Sequence, residues 1–254
     1  MNRPSALSGK GLLPPDVFLS LLPMKILAVD TATKSCSVAI VKNGTILAEV
    51  TLVSEQTHSK HLMEVIKGVS QLSGITIAAL DGFAVTKGPG SFTGLRIGLS
   101  TVKGLATAAG KPIVGISSLE CLAIQSYAPS FNICPMLDAR KGEVYWVHYR
   151  YENGQLQQLC SEQVTAPGIV LTDIHDPCIF VGNGARLYQE DIGRKLGSLA
   201  HFAPDGQNII RAATVAFLSR NLFEKEKSDD TGGLTPCYIR KSDAEINLVK
   251  KSQP

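Results

Sequence analysis

The residues of this chain best placed to do chemistry are Lys87-Gly88-Pro89-Gly90-Ser91-Phe92-Thr93-Gly94-Leu95-Arg96-Ile97-Gly98. They follow an apolar run, Phe83-Ala84-Val85-Thr86, that predicts a buried strand. They open into residues 95–109, which predict a helix with Thr93 as its N-cap. A strand, a glycine-rich turn and a helix start direct backbone N–H groups toward an anion. Gly94 and Gly98, four residues apart, also leave one helix face bare, so a second helix can approach closely. The segment suits a phosphate, a partner helix, or both.

Asp30-Thr31 with Ser35 offers an acid for a hydrated Mg²⁺ and hydroxyls for phosphate oxygens. Asp30 can equally end a strand and cap the following turn. That turn, Asp-Thr-Ala-Thr, has no glycine to bring backbone close to a phosphate. Gly182-Asn183-Gly184-Ala185, after an apolar run at 178–181, fits a nucleotide contact or a plain strand-to-helix turn. Asp30, Thr31, Ser35, Gly182 and Gly184 are thus the candidate nucleotide-binding set. Asp138, Arg140, Lys141 and Glu143 form a charged hairpin start, either a solvated edge or a patch facing a partner.

His58 and His61 share a helical face with Leu62, Val65, Ile66 and Val69. Two histidines with no third ligand close in sequence make a poor metal site. A protein interface is expected there, and no metal. On the glycine-rich helix, Leu95, Leu99 and Val102 share a face with Gly98. The expected partner interface is therefore His58, His61, Leu62, Val65, Ile66, Leu95, Gly98, Leu99 and Val102. Gly98→Leu or Leu99→Glu should then abolish partner binding and leave the monomer folded. Ser91 follows Gly-Pro-Gly and does not sit in a Gly-x-Ser-x-Gly elbow, and no Ser/His/Asp or Cys/His order has supporting context. No catalytic residue is expected.

The elements that must position these residues come in a repeating order. Apolar runs at 26–29, 37–41 and 45–53, with Asn43-Gly44 between the last two, predict three antiparallel strands. A helix over 57–72 follows, then the strand at 83–86, the glycine-rich helix, a buried run at 113–116 and a helix over 118–127. Pro129 marks a boundary, after which the theme returns. A run at 133–137 ends at Asp138, strands over 143–151 and 155–164 flank Asn153-Gly154, and a run at 178–181 precedes a helix over 207–224. Two halves that each open with a strand ending in Asp and then a hairpin predict an α/β fold of two lobes. The expected architecture is actin-like ATPase or sugar-kinase, with duplicated mixed-sheet lobes at 24–128 and 129–254.

Residues 1–23 carry Pro4, Pro14, Pro15 and Pro23 and read as a disordered extension or an upstream start, with Met24 as the natural one. Their apolar run is too short for a signal-peptide core. The 254 residues are 44 % hydrophobic and 19 % charged with a net charge of +3, a globular balance too mildly basic to argue nucleic-acid binding from charge. Six scattered cysteines without a C-x-x-C pair predict reduced thiols and a cytoplasmic protein. No apolar run reaches the ~18 residues of a membrane helix.

Several segments taken together resemble the TsaB (YeaZ) family. They are Ile26-Leu27-Ala28-Val29-Asp30-Thr31, Thr57-His58-Ser59, the glycine-rich segment from Gly88 to Gly98, Asp138-Ala139-Arg140-Lys141-Gly142-Glu143-Val144-Tyr145 and Pro236-Cys237-Tyr238-Ile239-Arg240. The resemblance runs from Met24 to about Arg240 and implies a subunit of the bacterial machinery that makes threonylcarbamoyladenosine in tRNA. It implies the actin/sugar-kinase fold and kinship with TsaD, the subunit that transfers the threonylcarbamoyl group to the adenosine 3′ to the anticodon. It further implies pairing with a TsaD-like subunit through first-lobe helices, a TsaE-like ATPase joining that complex, homodimers through the same helices, and contact with tRNA through the complex. The resemblance leads us to expect no cofactor requirement of this chain itself; any ATP or ADP with Mg is expected at a complex interface. TsaD-like proteins carry a His-x-x-x-His metal pair just after the glycine-rich helix. Here Pro112 to Leu122 contains no histidine, and Glu120 and Cys121, adjacent on a helix, point in different directions. A non-catalytic subunit is therefore expected. The alternative is an autonomous ATPase or a metallopeptidase of the glycoprotease type.

Overall fold

The computed structural model describes residues 23–54 and 58–240. Residues 1–22, where nearly all of the expected N-terminal extension falls, and Thr57, the expected helix start, lie outside them. The first sheet opens with β1 (Lys25–Asp30), β2 (Ser35–Lys42) and β3 (Thr45–Val53), which pair antiparallel in sequence order. Asn43 and Gly44 take left-handed φ of 52° and 79°, as the two-residue hairpin turn requires. Then come α1 (His58–Ser73), β4 (Gly82–Gly88), α2 (Phe92–Ala109) and β5 (Ile113–Ser117). β4 and β5 add in parallel beside β1, giving the order β3-β2-β1-β4-β5.

The central strands read as unbroken apolar runs because both faces of the sheet are covered. Alternate residues go to opposite cores. Leu27, Val29, Val38, Ile40, Phe83 and Val85 meet Leu62, Val65, Ile66 and Val69 of α1 and Leu99, Val102 and Ala106 of α2. Ile26, Ala28, Ala39, Val41, Ala84 and Val114 face the other way.

A helix, α3 (Ser118–Gln125), leads into the second sheet: β6 (Asn132–Arg140), β7 (Glu143–Trp146), β8 (Tyr149–Glu152), β9 (Gln155–Gln158) and β10 (Gln163–Thr165). After α4 (Pro167–Val170) come β11 (Cys178–Val181), α5 (Asn183–Leu187), α6 (Gln189–Leu196), β12 (Ala200–Phe202) and α7 (Ala212–Glu224). The order β10-β7-β6-β11-β12 repeats the first sheet: an antiparallel pair beside the leading strand, then two parallel strands on its other side. The duplicated mixed-sheet, actin-like architecture is as expected.

Three details differ from the sequence reading. The strand expected over 143–151 breaks at Val147-His148, where the His148 N–H donates to Cys160 Sγ at 3.4 Å and leaves the ladder. Its partner over 155–164 breaks likewise into β9 and β10. The last helix begins at Ala212, later than the expected 207, because residue 211 is extended (φ −93°, ψ 130°). Its first turn is held by the first sheet: Ala212 N–H donates to Ser37 Oγ at 3.0 Å and Ala213 N–H to Glu49 Oε1 at 3.0 Å. Arg211 pairs with Glu49. A cut at 128/129 divides the chain but not the packing, since α7 lies in the core formed by Ala39, Val41, Ala84 and Val114.

Candidate functional site

Asp30, at the end of β1, is fully buried. Its Oδ1 accepts from Thr86 Oγ1 at 2.8 Å and from the Ala32 N–H at 3.1 Å, while Oδ2 has no partner among the described residues. Burial pushes its pKa up to about 7, against the pull of those two hydrogen bonds. Thr31 and Ser35 are buried beside it. Thr31 Oγ1 donates to the Gly94 carbonyl at 2.8 Å, and the hydroxyls of Ser35 and Thr33 bond each other at 2.8 Å.

The glycine-rich segment closes directly over this turn. A Cβ on Gly90, Gly94 or Gly98 would overlap Ala32 O, Thr31 O or Thr31 Oγ1 respectively, all inside the 3.0 Å that real Cβ atoms essentially never breach. The Ser91 N–H donates to Ala32 O at 2.7 Å. The N-cap of α2 is Ser91 and not Thr93: its Oγ accepts from the Gly94 N–H at 3.3 Å. The bare stripe expected to admit a partner helix is therefore filled by the chain's own 30–32 turn, and Gly98 is not a docking surface.

The other expected interface residues need the same correction. Leu62, Val65, Ile66, Leu95, Leu99 and Val102 are buried in the chain's own core. An amphipathic stripe signals burial against something, and here that something is the sheet. His58 is tied inward, its Nε2 donating to the Thr33 carbonyl at 2.8 Å. Only His61 keeps an outward position, with Nδ1 3.9 Å from Glu64 Oε2. The exposed faces of the two helices carry Met63, Lys67 and Leu72 on α1, and Arg96, Ser100 and Gly104 on α2, with His61 and Gly68 half-buried beside the first set. Nothing lies within 4 Å of a Cβ built on Gly68 or Gly104. Among the described residues no three His, Cys, Asp or Glu side chains converge as metal ligands.

Gly182 and Gly184 belong to a separate packing in the second lobe. Gly182 has φ 103°, and its N–H donates to Asn208 Oδ1 at 2.7 Å. A Cβ on Gly184 would lie 2.9 Å from the carbonyl carbons of Met136 and Leu137. These glycines let α5 sit on β6, where Asn183 Oδ1 accepts from the Asp138 N–H at 3.1 Å. A cavity of about 190 Å³ lies beside α5, walled by Phe180 and Phe202 with Arg186 and Asp205 paired at 3.1 Å. Of the charged hairpin, Asp138 caps its own turn, its Oδ1 accepting from the Arg140 N–H at 2.8 Å.

Two features have no counterpart in the sequence reading. Ser117, at the end of β5, donates to Glu162 of the second lobe, with Lys87 and Glu120 close by. Burial, and then the charge of Glu162, raises the pKa of Glu120; burial raises that of Glu162; Lys87 opposes both shifts. The second feature is a strap over residues 229–240. Asp229 Oδ2 accepts from the Gly115 N–H at 2.7 Å, covering the edge of β5. Lys103 Nζ donates to the carbonyls of Gly232 and Leu234, and the Cys237 N–H to Lys87 O at 2.6 Å. Tyr238 stacks on Phe92 at 4.6 Å. Arg240 then reaches the second lobe, donating to Ala139 O at 2.8 Å and pairing with Glu143 at 3.3 Å. Pro236-Cys237-Tyr238-Ile239-Arg240 marked the family resemblance, but nothing in its spacing says that it crosses from lobe to lobe.

A five-stranded pattern used twice, with helices on the sheet faces and an aspartate at or near the end of each leading strand, defines a two-lobed protein of the actin-like class. Within that class the first-lobe turn here is shut by its own helix. The sequence profile described as TsaD, tRNA N6-adenosine threonylcarbamoyltransferase, matches residues 45–248. The tRNA threonylcarbamoyladenosine biosynthesis protein TsaB of Bacillus subtilis (strain 168) is 33 % identical over 233 residues, spanning 91 % of this chain and all of that protein. The protein of the same name from Escherichia coli (strain K12) is 32 % identical over 235 residues, 90 % of this chain and all of its own length. The solved structure of YeaZ from Pseudomonas aeruginosa superposes with a TM-score of 0.71 at 27 % identity, covering 85 % of this chain and 99 % of that one. The chain belongs to the TsaB family.

Proposed function

We propose that this chain is a non-catalytic subunit of the machinery that makes threonylcarbamoyladenosine in tRNA, binding and supporting a TsaD-like transferase subunit. One observation carries the non-catalytic part. The turn at Asp30, where an actin-like ATPase holds phosphate and Mg²⁺, is packed against the backbone of Gly90 and Gly94 and the Cα of Gly98. The subunit role follows from relatives named for tRNA threonylcarbamoyladenosine biosynthesis that match end to end. The partner-facing surface is the outward side of α1 and α2, around His61, Gly68, Leu72, Ser100 and Gly104. Small residues there let a partner helix come close. A second copy of the chain uses the same surface when the partner is absent, a TsaE-like ATPase joins the heterodimer, and tRNA meets the chain through the complex.

The test is tRNA threonylcarbamoylation in a purified system containing the TsaD-like, TsaE-like and adenylate-synthase proteins of the same organism, with and without this chain. Modification that depends on the chain is the expected result. Full modification without it refutes the reading.

A further inference from the structure

We propose that the shelf formed by Phe92, Arg96 and Tyr238 is the docking point for a carboxylate side chain of the protein partner. The inference rests on the preceding reading in taking that partner to be the TsaD-like subunit.

Arg96 is exposed on α2, yet its side chain is held in place. The guanidinium carbon lies 3.8 Å from the centre of the Phe92 ring and 5.8 Å from that of Tyr238, and Nε donates to the Tyr238 hydroxyl at 2.9 Å. Phe92 and Tyr238 are themselves stacked, with 28° between their planes. Nε is thus occupied, and no Asp or Glu among the described residues pairs with Arg96. What is left is the outer edge of the guanidinium, Nη1 and Nη2, whose parallel N–H groups match the two oxygens of a carboxylate. Because two rings already hold the plane, little side-chain entropy is lost when a ligand binds.

The surroundings select the kind of partner. Arg96 lies on the exposed row of α2 that continues one and two turns on at Ser100 and Gly104. An arginine and a tyrosine beside a small-residue face with no other charge on it are the usual anchors of a protein interface. An RNA backbone would instead need a run of uncompensated cations. The cations at the far end of the strap do not supply one: Arg140 lies 3.7 Å from Asp138 and Arg240 lies 3.3 Å from Glu143.

The experiment measures binding of the full chain to the purified TsaD-like subunit by calorimetry, and binding to tRNA in parallel. Arg96→Lys keeps the charge and loses the fork, Arg96→Glu reverses the charge, and Tyr238→Phe removes only the hydroxyl that orients Nε. Affinity for the subunit should fall about tenfold for Arg96→Lys, about a hundredfold or more for Arg96→Glu and about threefold for Tyr238→Phe, with unchanged thermal transitions. Gly104→Arg, on the open face, tests the underlying reading separately. If Gly104→Arg weakens binding while all three shelf variants bind like the parent, the shelf assignment is overturned and the subunit reading stands. Loss of tRNA affinity with subunit affinity intact in Arg96→Glu also overturns it. A parent chain that does not bind the subunit removes both. Should Arg96→Glu fold poorly, Arg96→Lys and Tyr238→Phe still decide the matter.

Discussion

Gly98 and Gly104 stand on the same helix, six residues apart, and the same substitution should change stability in opposite directions. In an exposed helix interior, Gly→Ala gains about 0.5–1 kcal/mol by restricting the unfolded chain. Gly104→Ala should show that gain, since nothing lies within 4 Å of the new methyl group. At Gly98 the methyl would overlap Thr31 Oγ1, and Thr31 is fully buried with its hydroxyl given to Gly94 O at 2.8 Å. Moving that side chain leaves the buried Thr31 hydroxyl unsatisfied, at about 1–3 kcal/mol. Overpacking adds about 1–3 kcal/mol. After subtracting the helix gain, Gly98→Ala should destabilise by about 1–5 kcal/mol, or several degrees in midpoint for a chain of this size. The assay is urea unfolding followed by circular dichroism, run as a double-mutant cycle with Thr31→Ala. Once the hydroxyl is removed, the nearest atom to the new methyl group is Thr31 Cβ at 3.5 Å, an ordinary contact. Gly98→Ala should then cost far less on the Thr31→Ala background, with a coupling of about 1–3 kcal/mol. If Gly98→Ala stabilises as Gly104→Ala does, or if the cycle shows no coupling, the closed-turn argument is refuted. The same geometry makes Gly98→Leu and Leu99→Glu folding defects, not selective losses of partner binding.

Two further outcomes are expected. Asp30 has a pKa of about 7 in the folded chain and about 3.9 unfolded, so the folded state binds more protons between those values and its contribution to stability falls as pH rises through that window. Asp30→Asn, which cannot ionise, should gain on the parent by about 2–3 kcal/mol between pH 5 and pH 8 in urea unfolding; a constant difference across that range argues against the raised pKa. Glu49→Ala removes the carboxylate that accepts from Ala213 N–H and pairs with Arg211, and should cost about 1–3 kcal/mol, with Glu49→Gln costing less because it keeps an acceptor; equal midpoints for parent and Glu49→Ala would show that α7 does not depend on this clamp.

Much of the fold was legible because its signals are local. Apolar runs ending at Asp30 and Asp138, the Asn43-Gly44 and Asn153-Gly154 turns, and the period of α1 each specify an element without reference to distant chain. What the period of α1 and α2 does not carry is the identity of the surface they bury against. Leu62, Val65, Ile66, Leu99 and Val102 have the same spacing whether they meet a partner or their own sheet. The glycines were legible as a demand for close approach, but Thr31, more than sixty residues upstream, is what approaches. Glu49 and Ser37 as caps of α7, Glu162 as partner of Ser117, and Tyr238 as acceptor for Arg96 Nε are long-range pairings with no local mark at all. The broken strands at Val147-His148 and around Cys160 followed from a side-chain sulfur taking a backbone N–H, a choice that strand propensity does not encode.

The return of α7 to the first sheet has a consequence for how the protein is made. Ser37 and Ala212, which share a hydrogen bond, are separated by 175 residues. During synthesis the first lobe emerges with Ala39, Val41, Ala84 and Val114 facing outward, and the helix that covers them is among the last elements translated. The nascent lobe, its sheet complete at Ser117, must therefore wait half-covered until the helix at Ala212–Glu224 is made, and any product terminated before residue 212 presents a permanent apolar sheet face. Loop closure over such a distance is slow, and exposed faces of this kind associate with one another. The lobes can be told apart by strand order, but they reach their native form as one folding unit.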